Sequence, residues 1–180
     1  MAGLRLGDRA VPFTLPGVDG RSYSLDYFAG KKVAGVIFWC NHCPYVQAWE
    51  DRVLDLQRQY RPKGVEFVLV SSNDPLHYPD DSFDAMKRRA QEKNYPCPYL
   101  FDESQEVARA YGATRTPEVF LFDGELLLRY HGRPDDNYED PARVRQNYLR
   151  DAIEALLAGQ LPAVGETAPQ GCTIKWRLRP

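Results

Sequence analysis

The sequence has no long hydrophobic run, no strong excess of one charge and few cysteines. No stretch of its 180 residues approaches the roughly 18 consecutive apolar residues of a transmembrane helix. The N-terminal residues lack the basic segment and apolar core of a secretory signal. The formal net charge is −2 and the two signs are interspersed, which argues against a nucleic-acid-binding surface. We therefore expect a cytoplasmic protein that binds neither membranes nor nucleic acids.

Four cysteines are too few to suggest a disulfide-stabilised fold, and a chain of this length does not need one. A domain of this size buries a hydrophobic core without disulfides or metals, and the cytoplasm keeps thiols reduced. The cysteines are therefore candidates for packing, metal binding or redox chemistry. We expect one domain at residues 1–160, followed by a tail at 161–180.

Hydrophobic periodicity predicts alternating strands and helices. Continuous apolar stretches at residues 33–39 and 65–72 are typical of strands buried on both faces of a sheet. Apolar residues at intervals of three and four follow residue 44 and predict a helix. The other predicted elements are an N-terminal hairpin, helices near 82–94, 103–112 and 141–157, and a hairpin at Asp123-Gly124. This order predicts an α/β fold: a mixed central sheet covered by helices on both faces, with an N-terminal β-hairpin and a C-terminal extension.

Cys40 and Cys43 lie two residues apart, between the first long predicted strand and the helix that follows it. The same spacing occurs in zinc half-sites and in redox-active pairs. Zinc would need two more ligands at short spacing, and the remaining candidates are isolated: Cys97, Cys172, His77 and His131. We therefore expect no metal and no cofactor, and we interpret Cys97, between two prolines, as packing.

The position of the pair before a helix suggests different roles for the two thiols. If Cys40 caps the helix, unpaired N–H groups and the helix dipole stabilise its thiolate. Cys43 then lies one turn further in and releases the product by attacking a mixed disulfide. His42 either donates to the Cys40 sulfur or is solvated. The strand before the pair and the first turn after it contain no carboxylate, so proton transfer has no evident partner.

The motif FWCNHCP at a strand-to-helix junction, followed some seventy residues later by TRTPEVFLFD, resembles the thioredoxin-like superfamily. The N-terminal segment is similar to that of its redoxin branch, and the resemblance spans roughly residues 7–158. It implies a thioredoxin-like fold and thiol–disulfide exchange by Cys40 and Cys43. It also implies that Trp39 flanks the active site and that Thr116 precedes a cis Pro117 where an extended peptide binds.

The resemblance implies disulfide-bearing proteins or small thiols as substrates, and a reducing partner of unknown identity. A thiol peroxidase is an alternative, but the proline and the threonine or serine that precede a peroxidatic cysteine in peroxiredoxins are missing for both Cys40 and Cys43. A redox-inert peptide-binding module is a further alternative. Asn41 and Pro44 depart from the usual pattern of the superfamily.

The tail contains a hydrophobic motif, GCTIKW, at residues 171–176. Disordered segments are usually poor in residues such as isoleucine and tryptophan, so we expect the tail to dock on the domain. Cys172 is either a packing residue or a third exchanging thiol. The sequence favours packing, because Cys40 already has a partner two residues away.

Overall fold

A mixed five-stranded sheet forms the centre of the computed structural model, which describes residues 3–178. The strands of the chain are β1 (Thr14–Pro16), β2 (Ser22–Ser24), β3 (Val33–Trp39), β4 (Val65–Ser71), β5 (Tyr99–Phe101), β6 (Arg115–Thr116), β7 (Glu118–Asp123), β8 (Leu128–Gly132) and β9 (Cys172–Thr173). The central sheet has the order β5-β4-β3-β7-β8. β3 runs parallel to β4 and antiparallel to β7, and β1 and β2 form the predicted N-terminal hairpin.

The central strand β3 separates two hydrophobic cores. Ile37 and Trp39 belong to one buried cluster, whereas Val36 and Phe38 belong to another on the opposite face. All seven residues of β3 are buried, so the strand needs apolar side chains on both sides. This explains why the apolar run in the sequence is continuous rather than alternating.

Helices cover both faces of the sheet, as predicted. They are α1 (Pro44–Tyr60), α2 (Phe83–Glu92), α3 (Glu106–Tyr111) and α4 (Tyr148–Leu157). Residues of α1, α2 and α4 belong to the first core, and α3 contributes to the second. None of the helices within residues 3–178 combines the length and the apolar character that a bilayer crossing requires.

The last helix is shorter than the sequence predicted. Asp140 accepts a hydrogen bond from the N–H of Ala142 at 2.9 Å, but it begins only the short 3-10 turn Pro141–Arg143. The chain is extended at Val144, and α4 starts afresh after Asn147, whose side chain caps it. Two consecutive N-cap signals therefore begin two separate elements.

The residues after α4 run back over the domain. Backbone hydrogen bonds join His131 in β8 to Gly165 and Thr167 at 3.0 Å each. Further along, β9 pairs antiparallel with β6, and Ile174 is 2% exposed in the second core. The final two residues of the predicted tail lie outside the described part of the chain.

Candidate active site

The two cysteines of the pair lie at the junction between β3 and α1. Cys40 directly follows β3, whereas Cys43 is the N-cap residue of α1. The prediction that Cys40 caps the helix, with Cys43 one turn inside it, is therefore wrong. The reason is Pro44, which disfavours a helical conformation in the residue before it and is well suited to be the first helical residue. The first hydrogen bond of the helix runs from Gln47 N to Cys43 O at 2.9 Å.

A buried carboxylate from a neighbouring loop holds the residues between the two cysteines. Asp81 is fully buried and accepts hydrogen bonds from the backbone N–H of Asn41 and the side chain of Asn73, both at 2.8 Å. Nδ1 of His42 lies 2.8 Å from the Asp81 carboxylate. His42 therefore lies within ion-pair distance of a carboxylate, although the contact lacks hydrogen-bond geometry. Neither interpretation of the sequence anticipated this neighbour.

Asn41, which replaces the more usual glycine or proline, has a structural role. Its side-chain oxygen accepts a hydrogen bond from the Tyr99 hydroxyl at 2.8 Å, and its side-chain nitrogen donates to the Asp80 carbonyl at 2.9 Å. The asparagine is 7% exposed. It fixes the segment between the cysteines to the strand and loop on the β5 side of the sheet.

Thr116 contacts both sulfur atoms of the pair. The Cys40 sulfur lies 3.5 Å from the Thr116 hydroxyl, and the Cys43 sulfur lies 3.5 Å from the Thr116 carbonyl oxygen. The Thr116-Pro117 peptide bond is cis, as the resemblance implied. The structure thus brings together four of the residues singled out in the sequence, although some seventy residues separate the two motifs.

The buried carboxylate of Glu118 fixes the backbone that carries Thr116. One carboxylate oxygen accepts hydrogen bonds from the N–H groups of Thr114 and Arg115 at 2.9 and 3.0 Å. The other lies 2.6 Å from Nε2 of His131. Burial of the ring opposes protonation of His131, but the hydrogen bonds and negative charges of Glu118 and Glu166 together raise its pKa.

The two thiols differ in their electrostatic surroundings. The pKa of Cys43 is lowered to about 5, mainly by a hydrogen bond from the Cys40 thiol, with further help from the Cys172 thiol and the N–H of Val46. Burial of the thiol opposes this ionisation. The pKa of Cys40 is raised, because its thiol donates to Cys43, it is buried, and Asp81 is negatively charged. These opposite shifts favour ionisation of Cys43 over ionisation of Cys40.

Neither sulfur of the pair is open to solvent. Cys40 is 1% exposed and Cys43 is 2% exposed, and all four cysteines of the chain are free thiols. Cys172 is half-buried in the tail strand and packs against the core cluster that contains the pair. Cys97 is buried in the same core cluster, and burial raises its pKa to about 12.

Trp39 is fully buried and belongs to the first core. Its indole N–H donates to the Tyr95 hydroxyl at 3.0 Å, and that hydroxyl donates to the buried Glu50 at 2.6 Å. Trp39 therefore presents no surface to a substrate. It supports the strand end before Cys40 from within the core.

Sequence reasoning missed Asp81 and Glu118. Asp81 lies in the Pro- and Asp-rich loop after β4, and the carboxyl ends of the parallel strands β3 and β4 meet at one edge of the sheet. That rule could have placed a carboxylate from this loop near the pair. Glu118 directly follows Pro117, but its contacts depend on the turn geometry of residues 114–117, for which the sequence carries no signal.

A pair of thiols at a strand-to-helix junction, facing a cis proline at the start of an adjacent strand, defines a thioredoxin-like redox protein. The fold agrees with this class. The thioredoxin domain of a thiol-disulfide oxidoreductase from Bacteroides vulgatus superposes with a TM-score of 0.60 at 23% identity, covering 70% of this chain and 86% of that one. At this identity the likeness bears on the fold alone.

The chain belongs to the Redoxin family, whose model matches residues 5–147. It is 28% identical over 130 residues to the thiol-disulfide oxidoreductase ResA of Halalkalibacterium halodurans, covering 71% of this chain and 69% of the relative. A conserved protein of Geobacillus kaustophilus is similar over nearly the full length. Its sequence is 40% identical, and its crystal structure superposes with a TM-score of 0.92, covering 98% of this chain and 94% of that one.

Proposed function

We propose that the protein is a thiol–disulfide oxidoreductase that cycles Cys40 and Cys43 between the dithiol and the disulfide. The observation that carries this proposal is the contact of both free thiols with Thr116, beside the cis Pro117. Opposite pKa shifts in the pair supply one thiolate and one thiol, which are the attacking and resolving groups that the reaction needs. The relatives named thiol-disulfide oxidoreductase support the same activity.

Because both sulfurs are buried, a local opening of the structure must first expose the pair. The Cys43 thiolate then attacks one sulfur of a substrate disulfide. A Cys43–substrate disulfide forms, the substrate S–S bond breaks, and the other substrate sulfur leaves as a thiolate that takes up a proton. Cys40 then loses its proton and attacks the Cys43 sulfur. The Cys40–Cys43 bond forms and the second substrate thiol is released, so the substrate gains two electrons and the pair loses two.

The charge distribution gives Cys43 the attacking role that sequence reasoning gave to Cys40. Asp81 raises the pKa of Cys40 and so keeps it protonated until its turn to react. A thiol reductant must return the pair to the dithiol state after each turnover.

The proposed substrates are protein disulfides or small disulfides, and the direct test is turnover on such substrates with a thiol donor. We expect wild-type protein to catalyse the reduction, and both Cys40→Ser and Cys43→Ser to abolish catalytic turnover. Cys97→Ser is the matched control, because this thiol is buried, has a raised pKa and is not electrostatically coupled to the pair. Retained activity in both pair variants would contradict the proposal.

The same assay separates the two alternative functions. A thiol peroxidase reduces hydrogen peroxide at least as fast as a disulfide, and equal rates would favour that function. A redox-inert peptide-binding module turns over neither substrate. We expect reduction of disulfides to exceed reduction of peroxide.

A further inference from the structure

The tail strand occupies the backbone edge that precedes the cis proline. β9 pairs antiparallel with β6, and Cys172 is the residue directly opposite Thr116. An extended peptide added to this edge would form the same kind of pairing. The protein's own tail therefore lies in the position of a bound peptide, with a cysteine opposite the residue that both sulfurs of the pair contact.

Gly171 allows the tail to approach this closely. A Cβ atom at residue 171 would lie 2.0 Å from the carbonyl oxygen of Thr116 and 3.3 Å from the nitrogen of Pro117. Such contacts are far below van der Waals separation, so any side chain here would push the strand away. The glycine thus brings Cys172 next to the pair.

Contacts made by the residues that follow β9 hold the tail in this register. Ile174 is buried in the second core, and its N–H donates to the Thr114 carbonyl at 2.9 Å. Lys175 exchanges hydrogen bonds with the loop after β4, through Asn73 and Asp74 at 2.9 Å each. The position of Cys172 is therefore fixed from both ends and does not result from a loose terminus.

We propose that Cys172 is a third redox-active thiol, which exchanges with Cys43 to form a disulfide that fixes the tail on the β6 edge. This proposal rests on the proposed function, because it needs the pair to become oxidised. The electrostatics agree with the geometry: the Cys172 thiol helps to stabilise the Cys43 thiolate, and burial together with that thiolate raises the pKa of Cys172 to about 11.

The exchange needs no additional oxidant. Starting from the Cys40–Cys43 disulfide, Cys172 loses its proton and its thiolate attacks the Cys43 sulfur. The Cys43–Cys172 bond forms, the Cys40–Cys43 bond breaks, and its electron pair leaves on Cys40, which takes up a proton. The number of disulfides is unchanged. In the product the tail is held covalently in the position that a substrate peptide would take.

The decisive test uses Cys40→Ser with glutathione disulfide as the probe. Cys43 first forms a mixed disulfide and releases one glutathione. Cys172 then attacks Cys43 and releases a second, leaving a Cys43–Cys172 crosslink that peptide mapping identifies under non-reducing conditions. The matched control, Cys40→Ser combined with Cys172→Ser, must stop at the mixed disulfide with one glutathione released per chain. If Cys40→Ser also stops there and Cys172 remains open to alkylation, the proposal is wrong.

Two further variants distinguish failure of this proposal from failure of the proposed function. Gly171→Ala in the Cys40→Ser background is expected to lower the yield of the crosslink, because the added methyl group displaces β9; an unchanged yield contradicts the role given to the strand. Cys172→Ser tests the pair alone. If it releases only one glutathione per chain, the proposed function itself fails. Should Cys40→Ser not fold, mapping of oxidised wild-type protein decides: some Cys43–Cys172 crosslink supports the proposal, and none overturns it.

Discussion

The location of the negative charge in the reduced pair can be tested by replacing each cysteine in turn. The pKa of Cys43 is lowered from 9.0 to about 5, whereas that of Cys40 is raised. The other two thiols have pKa values of about 11 and about 12, so they remain protonated near neutral pH. A single thiolate per chain is therefore expected to form between pH 4 and 8.

The size of the pKa shift of Cys43 determines whether a reaction rate or a titration midpoint reveals the thiolate. At pH 7, a pKa of about 5 gives about 99% thiolate, against about 1% at a pKa of 9.0. The intrinsic nucleophilicity of a thiolate falls with its pKa, by roughly 60-fold over four units at a Brønsted slope of about 0.45. The two effects nearly cancel in an alkylation rate. The midpoint of the titration is therefore the quantity to measure.

Ultraviolet absorbance of the thiolate gives this midpoint without a reagent having to reach a buried sulfur. Reduced wild-type protein is expected to show one thiolate with a midpoint near 5, and Cys43→Ser is expected to remove it. Cys40→Ala should move the midpoint upward, because the largest source of the shift is the Cys40 hydrogen bond, whereas the hydroxyl in Cys40→Ser can replace part of it.

The same shift predicts a pH dependence of stability. A thiol whose pKa is lower in the folded state stabilises that state fully above its unfolded pKa, and the contribution is lost as pH falls towards the folded value. Between pH 5 and 7, the contribution of Cys43 to the free energy of unfolding of the reduced protein should therefore grow by about 2 kcal/mol. Urea unfolding of wild type and Cys43→Ser measures this difference, since other titrating groups are common to both. For the absorbance titration, a thiolate midpoint near pH 5 that persists in Cys43→Ser and vanishes in Cys40→Ser would refute the assignment of the thiolate to Cys43.

Three other substitutions test supporting contacts. Asp81→Asn should lower the pKa of Cys40, because it removes a nearby negative charge; an unchanged second thiolate midpoint contradicts this. Glu118→Gln should lower the pKa of His131 in an imidazole NMR titration. Because the folded-state pKa of His131 is raised, the ion pair stabilises the protein fully below the unfolded-state pKa, and this stabilisation is lost as pH rises through the folded-state pKa. Glu118→Gln should therefore be most destabilised at low pH. An equal loss of stability at all pH values would argue against the ion pair. Gln57→Leu should lower the free energy of unfolding by about 2–4 kcal/mol in urea, since it leaves two buried backbone groups of β4 unpaired; a neutral effect would show that they find other partners.

The overall fold could be predicted because its signals are strong and local. The apolar run 33–39 is long enough to indicate a strand buried on both faces, and Asp123-Gly124 fixes the hairpin between β7 and β8. The prediction that Cys40 caps α1 is wrong because it gives Pro44 too little weight. The local rule for proline would have placed the helix start correctly.

The candidate site could be predicted only in part, because its supporting contacts join distant segments. Cys40, Cys43 and Thr116 follow from motifs, and the structure brings them together. Asp81 approaches the pair through a loop whose path depends on tertiary packing. The pairing of Cys172 with Thr116 depends on the register of a two-residue strand, which no local pattern specifies.

The central claim is that Cys40 and Cys43 form a reversible redox couple, and an equilibrium titration tests it most directly. In a protein carrying Cys97→Ser and Cys172→Ser, only these two thiols remain. Equilibration with glutathione buffers of varied ratio, followed by quenching and thiol counting, is predicted to show one reversible two-electron couple, in which a tenfold change in the equilibrium constant corresponds to about 30 mV. Absence of an intramolecular disulfide at every ratio, with only glutathione adducts formed, would contradict it.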